Sequence, residues 1–146
     1  MKRILFCLGL ITLLAAAPAT AAVDRLAGPL SGEVMRVVDG DTITVRLKIW
    51  IGQSIETHVR IDGIDAPEIK GKCTSERARA EEARKELVRL LHDGKVELTN
   101  IRNEKYAGRV LASVRTSGGV DITQYMIEHD YARPYKGAKR KTWCTS

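Results

Sequence analysis

The stretch VVDGDTITVRLKIW, Val37 to Trp50, decides the fold. Ile43, Val45, Leu47 and Ile49 alternate with polar residues, which puts them on one face of a strand. Asp39-Gly40 just before them is a tight-turn signal, and Ser31 to Val38, on its other side, alternates weakly as a strand does. A third strand is expected over Ser54 to Asp62, with Ile55, Thr57, Val59 and Ile61 on one face. Consecutive hairpin-linked strands favour antiparallel pairing and fit badly with a flat three-layer α/β sheet.

The period then changes. From Ser75 to Leu91, Ala80, Ala83, Leu87, Leu90 and Leu91 recur at helical spacing. Ser75 is the expected N-cap, Glu76 suits the first turn, and Gly94 fits just past the end. Strands are expected again over Lys95 to Ile101 and Arg109 to Arg115, followed by a Ser117-Gly118-Gly119 turn. Asp121 to Glu128 reads as a short helix, with Asp121 as its cap and Gln124 three residues on. The tail, Tyr131 to Ser146, reads as basic and irregular. The order β-β-β-α-β-β-α makes a mainly β chain with helices, a five-stranded Greek-key barrel of the OB type.

The 146 residues suggest one domain preceded by a leader. Lys2 and Arg3, the apolar run Ile4 to Leu14, and Ala19-Thr20-Ala21 form the pattern of a secretory signal peptide. The run is short of the ~20 apolar residues that a membrane span needs. The expected division is residues 1–21 as signal and 22–146 as a single domain, secreted or periplasmic, with no stable membrane association after cleavage. Losing Lys2 and Arg3 lowers the net charge from +6 to +4, a mild excess that suits an anionic partner. Cys7 goes with the leader and leaves Cys73 and Cys144, an even pair in an exported chain, so a disulfide is expected between them.

Two acidic clusters lie where strands end: Asp39-Gly40-Asp41-Thr42 and Asp65-Ala66-Pro67-Glu68. Carboxylates and carbonyls without clustered His or Cys prefer a hard cation, Ca²⁺ first outside the cytoplasm and Mg²⁺ second. Arg60 precedes the second cluster and Arg109 opens the fifth strand. Guanidinium groups bind phosphate oxygens in bidentate fashion. A metal, two arginines and a free carboxylate are the parts needed for attack by water on a phosphodiester.

At these residues the chain resembles the staphylococcal nuclease (thermonuclease) family. The likeness rests on VVDGDTITV, VRIDGIDAPE and KYAGRVLASV, in that order, and runs from about Gly32 to Tyr135. It implies a Ca²⁺-dependent, monomeric nuclease on an OB-type barrel. Such an enzyme would cut DNA and RNA with little sequence preference and leave 3′-phosphates. Carried over residue by residue, the resemblance implies calcium ligands at Asp41, Asp65 and the Ala66 carbonyl, and a general base at Glu68. It puts phosphate-binding arginines at Arg60 and Arg109, contacts to the terminal phosphate at Lys105 and Tyr106, and supporting groups at Asp39 and Thr42. The chain departs from the family pattern at Ala107, an inserted residue, and at Asp62, where the namesake is apolar. The namesake's long C-terminal helix is not expected here.

Tyr135, with Lys136, Lys139, Arg140 and Lys141, would stack a base and hold phosphates, or the tail is simply a solvated basic segment. Trp143 is expected to pack against the barrel. His58, His92 and His129 show no ligand spacing. The rival reading is a non-catalytic OB-fold module that binds nucleic acid. Such a binder would rely on surface aromatics, and only 5% of residues are aromatic. One geometric demand follows from RIDGIDAPE, Arg60 to Glu68. Arg60 and Asp65 are an odd number of positions apart and would face opposite sides of a regular strand. They share a site only if the chain bends, and Gly63 is the residue that permits it.

Overall fold

The computed structural model describes residues 25–104 and 108–144. The expected signal peptide and Lys105, Tyr106 and Ala107 lie outside the described residues. The strands are β1 (Arg25–Leu26), β2 (Leu30–Asp39), β3 (Thr42–Trp50), β4 (Gln53–Ile61), β5 (Ile64–Asp65), β6 (Lys95–Asn103), β7 (Arg109–Thr116) and β8 (Arg133–Pro134). The helices are α1 (Thr74–Leu90) and α2 (Ile122–Glu128).

Strands β2, β3 and β4 form the expected antiparallel meander. β6 pairs with both β2 and β7, and β7 pairs with β4, so the sheet closes into a five-stranded OB-type barrel. The β4–β7 pairing is parallel, a contact that hairpin logic does not foresee. Register shifts in β2 and between Thr99 and Arg102 in β6 supply the local bends that closure requires.

The barrel interior is filled by Ile43, Val45, Val59, Ile61, Leu98 and Val114, the inward halves of the alternating strands. Alternation stops predicting burial at the β3–β4 tip. Ile49 and Ile55 belong to the expected inward faces, yet they are exposed beyond the barrel end. α1 covers the barrel with Ala80, Ala83 and Leu87, all fully buried. Its N-cap is Cys73 rather than Ser75. The helix begins at Thr74, so Ser75 already lies in the first turn, and the Cys73 sulfur accepts from the Glu76 N–H. α2 is capped as expected by Asp121, whose Oδ1 accepts from Gln124 N at 3.1 Å.

The β2–β3 loop is Gly40-Asp41, one residue later than Asp39-Gly40, because Asp39 still pairs with Thr42. Gly40 lies against α1: a Cβ there would come within 2.8 Å of both the Ala66 and Ala83 methyl carbons. Gly40→Ala is expected to lower stability by about 1–3 kcal/mol, the usual cost of overpacking, read as a lower denaturant midpoint at unchanged slope.

Cys73 and Cys144 are joined, with Cα atoms 5.9 Å apart. The bridge ties the C-terminal tail to the start of α1. In the chain-entropy account, closing a loop of this size contributes roughly 4 kcal/mol. Cys144→Ser should therefore unfold at distinctly lower denaturant. Thiol titration of the unreduced chain from residue 22 onward should find no free thiol.

Candidate active site

The acidic clusters meet at one end of the barrel because β3 and β4 are paired there, Thr42 opposite Arg60. Asp41 is held by its backbone, whose carbonyl accepts from Ile61 N at 2.8 Å. The bend after β4 falls at Gly63, φ +86°, and returns the chain as β5. Arg60 and Asp65 thereby reach one site, with Arg60 Nη2 4.0 Å from Asp65 Oδ1.

Arg60, Asp41 and Asp65 are nearly inaccessible, with relative exposures of 4%, 2% and 1%. Buried charges are tolerated only when paired, and these are. Arg60 Nη1 donates to Asp41 Oδ1 at 2.8 Å and Nη2 donates to the Ile64 carbonyl at 3.3 Å. Asp41 Oδ1 also accepts from Thr42 Oγ1 at 2.9 Å, and Oδ2 accepts from Ala66 N at 3.1 Å. Asp39 Oδ1 accepts from Asp41 N at 3.1 Å. Burial first, and then the negative charge of Asp41, push the Asp39 carboxyl up to about 7.

Three groups not singled out at this site in the sequence reading complete it. Arg133 Nε and Nη2 donate to Asp65 Oδ2 at 3.0 and 2.8 Å, and Trp143 Nε1 donates to the same oxygen at 3.2 Å. Arg140 lies across two acids, its Nε 3.2 Å from Asp65 Oδ1 and its Nη1 bonded to Glu68 Oε1. Trp143 thus serves the acidic site, where packing alone was expected of it. A signal existed: the Cys73–Cys144 bridge brings the tail back to Cys73, eight residues after Asp65 in the sequence, and Trp143 is the neighbour of Cys144. No motif marks Arg133.

A metal of the kind that the resemblance implies fits the donor chemistry here. Asp41, Asp65, Glu68 and the Ala66 carbonyl are hard oxygen donors. Asp65 Oδ1 is buried yet accepts no hydrogen bond. Among the described residues, the triad whose ligand atoms all lie within 4.8 Å is elsewhere, at Cys73, Glu76 and Cys144, and its sulfurs are spent in the disulfide. The acidic cluster is spread wider, with guanidinium groups between its carboxylates.

Two openings flank the cluster. One, a cavity of about 580 Å³, is lined by Arg60, Gly63, Arg102, Glu104, Leu111 and Tyr135. The other, about 480 Å³, is lined by Asp65, Ala66, Glu68, Lys139, Arg140 and Trp143. Tyr135 is fixed in the first by its N–H on the Gly63 carbonyl at 2.9 Å and its hydroxyl on the Ala138 carbonyl at 2.7 Å. Arg109 opens β7, in register with His58, and is bonded through Nε and Nη2 to Glu104, which lines the first opening. The structure therefore brings together Asp39, Asp41, Thr42, Arg60, Asp65, Ala66 and Glu68, while Arg109 is held on Glu104. Asp62, without a role in the sequence, is paired with Arg102, whose Nη2 donates to both carboxylate oxygens at 2.9 Å.

Residues 58–144 match the family described as Staphylococcal nuclease homologue. The chain is also 30% identical over 115 residues to an "Uncharacterized endonuclease" of Escherichia coli, across 76% of this chain and 65% of the relative. An "Uncharacterized endonuclease" of Escherichia coli O157:H7 matches to the same extent. The chain thus spans just under two thirds of the length of these curated relatives. The family match covers more than half the chain and takes in Arg60, Asp65, Glu68 and Arg109, so the chain belongs to the staphylococcal nuclease homologue family.

Proposed function

We propose that this protein is an exported, monomeric, Ca²⁺-dependent nuclease that hydrolyses phosphodiester bonds of DNA and RNA with little sequence preference. The observation that carries the reading is the convergence of Asp41, Arg60, Asp65 and Glu68 at one barrel end, with a buried Asp65 oxygen that accepts no hydrogen bond. Asp41, Asp65 and the Ala66 carbonyl would hold Ca²⁺, with Mg²⁺ as the second choice. When bound, the ion supplies neutralising charge beside a phosphoryl oxygen.

The chain's own residues supply the rest. Glu68 is the half-exposed carboxylate of the set. It takes a proton from the attacking water, which requires Arg140 to release it. Arg60, rigid between Asp41 and the Ile64 carbonyl, offers a fixed cation to the charge that develops on the phosphoryl oxygens. Arg109 is the second such cation and must leave Glu104 to act. Lys105 and Tyr106 contact the terminal phosphate, and Tyr135 stacks a base in the groove that Arg60 lines. Export agrees with the small-residue site at Ala19-Thr20-Ala21 and with the disulfide, which belongs to an oxidising compartment.

The test is incubation with linear DNA and with RNA in Ca²⁺, in Mg²⁺ and in chelator. Degradation that needs a divalent ion and leaves 3′-phosphate ends is the expected result. Tight binding by gel shift with no cleavage in any metal would instead support a binding module.

A further inference from the structure

Asp65 accepts hydrogen bonds on one side only. Arg133 lies directly opposite it across the β5–β8 pairing, a position from which side chains on one face meet. Its two donors and the Trp143 indole N–H all converge on Oδ2. None reaches Oδ1, which is buried without a hydrogen bond and faces Arg140 Nε at 3.2 Å and Arg60 Nη2 at 4.0 Å, so a metal at Oδ1 takes the place of Arg140 there. Arg133 is itself held: its guanidinium carbon lies 4.1 Å from the Trp143 ring centroid, and it donates to the Thr142 and Lys141 carbonyls. The next residue is Cys144, bonded to Cys73 at the head of α1. The arrangement runs from a covalent bridge, through an indole and a guanidinium, to one oxygen of one carboxylate.

We propose that Arg133 and Trp143, anchored by the Cys73–Cys144 disulfide, are positioning residues that lock the Asp65 carboxylate with Oδ1 turned to the metal, so that divalent-metal affinity depends on the redox state of that disulfide. The proposal rests on the reading of Asp65 as a metal ligand. Groups that orient a ligand from outside the coordination sphere typically change metal affinity 10- to 100-fold when removed. Reduction by a dithiol transfers two electrons and two protons to the bridge, giving two cysteine thiols and the reductant's own disulfide. The tail then keeps Trp143 in place only by non-covalent contacts. A chain not yet oxidised would bind its metal weakly.

The positive charge of Arg133 opposes a nearby cation while its fork orients the ligand, so deleting it mixes two effects of opposite sign. The informative variants therefore conserve charge. Trp143→Phe keeps a ring over Arg133 and loses only the N–H donor. Arg133→Lys keeps the charge and loses the two-pronged geometry.

The experiment is calorimetric titration of the oxidised protein with Ca²⁺, at a temperature where circular dichroism shows every variant folded. Both variants should bind about tenfold or more weakly. Reduced wild type should weaken likewise and recover on reoxidation. Reduction of Trp143→Phe should add little, because the bridge acts through the indole. A purely structural tail would lower the melting temperature and leave Ca²⁺ affinity unchanged. Wild type that binds Ca²⁺, loses it in Asp65→Asn, and keeps it in Trp143→Phe and Arg133→Lys would overturn this inference and leave the nuclease reading standing. Wild type that binds neither Ca²⁺ nor Mg²⁺ would overturn both.

Discussion

Arg60→Gln should lower cleavage of DNA by about 10²–10³-fold, the usual loss when one fixed donor to developing negative charge is removed. It should also cost stability. Arg60 is 4% exposed and is the partner of Asp41 at 2.8 Å. Removing one member of a buried ion pair leaves the other uncompensated and typically costs about 3–5 kcal/mol. The two losses are separable. Unfolding in denaturant reads the second, and turnover measured where the variant is fully folded reads the first. Arg60→Lys should regain part of the stability, because the charge returns, and little of the activity, because an ammonium cannot reproduce the fork that reaches Asp41 and the Ile64 carbonyl together. Full turnover in a folded Arg60→Gln protein would remove Arg60 from the reaction.

Glu68→Gln is expected to show the opposite balance. A positioned general base contributes about 10²–10⁴ in rate, and the amide cannot take a proton, so turnover should fall within that range. Stability should barely move. The Glu68 side chain is 45% exposed and its partner Arg140 is 38% exposed, and an ion pair so open to water is worth at most about 1 kcal/mol. Gln keeps the size and one acceptor oxygen, so KM for substrate should change far less than kcat. The measurement is steady-state cleavage in saturating Ca²⁺ beside a thermal melt. A variant that degrades DNA as fast as the parent would show that the base lies elsewhere.

Together these expectations divide the acidic cluster into a buried, structurally committed half and an open half, Glu68, whose ion pair with Arg140 is exposed to water. Arg60 is hydrogen-bonded to Asp41, and Asp65 is held by Arg133 and Trp143, so changing them is expected to perturb fold and chemistry together. Glu68 sits where the chain emerges toward the tail cavity, and changing it touches chemistry alone. Gly63 makes the division possible. Without the left-handed turn there, β4 would run straight and carry Asp65 to the face opposite Arg60.

Much of this was legible in the residues. The alternation of Ile43, Val45 and Leu47 and of Val59 and Ile61, the helical spacing of Ala80, Ala83 and Leu87, and the Asp121 cap are local patterns, and the chain obeys them. The need for a bend between Arg60 and Asp65 followed from strand geometry. Local reasoning slipped where neighbours compete for one role. Cys73 takes the cap expected of Ser75, since the bridge holds it at the helix start. The hairpin loop moves one residue on, since Asp39 finds a ladder partner in Thr42.

The sequence by itself determined the five barrel strands and the two helices, that β2, β3 and β4 pair in order, and which acidic residues end beside Arg60; the short β1, β5 and β8, the last in a tail that reads as irregular, left no such pattern. These depend on side-chain period and on contacts between near neighbours. The tertiary structure alone decided the parallel β4–β7 closure, the Asp62–Arg102 pair, and the grip of Arg133, Arg140 and Trp143 on Asp65 and Glu68. Their partners lie tens of residues apart. Which guanidinium reaches which carboxylate is settled by strand register and by where the disulfide pins the tail, and neither leaves a periodic trace in the chain.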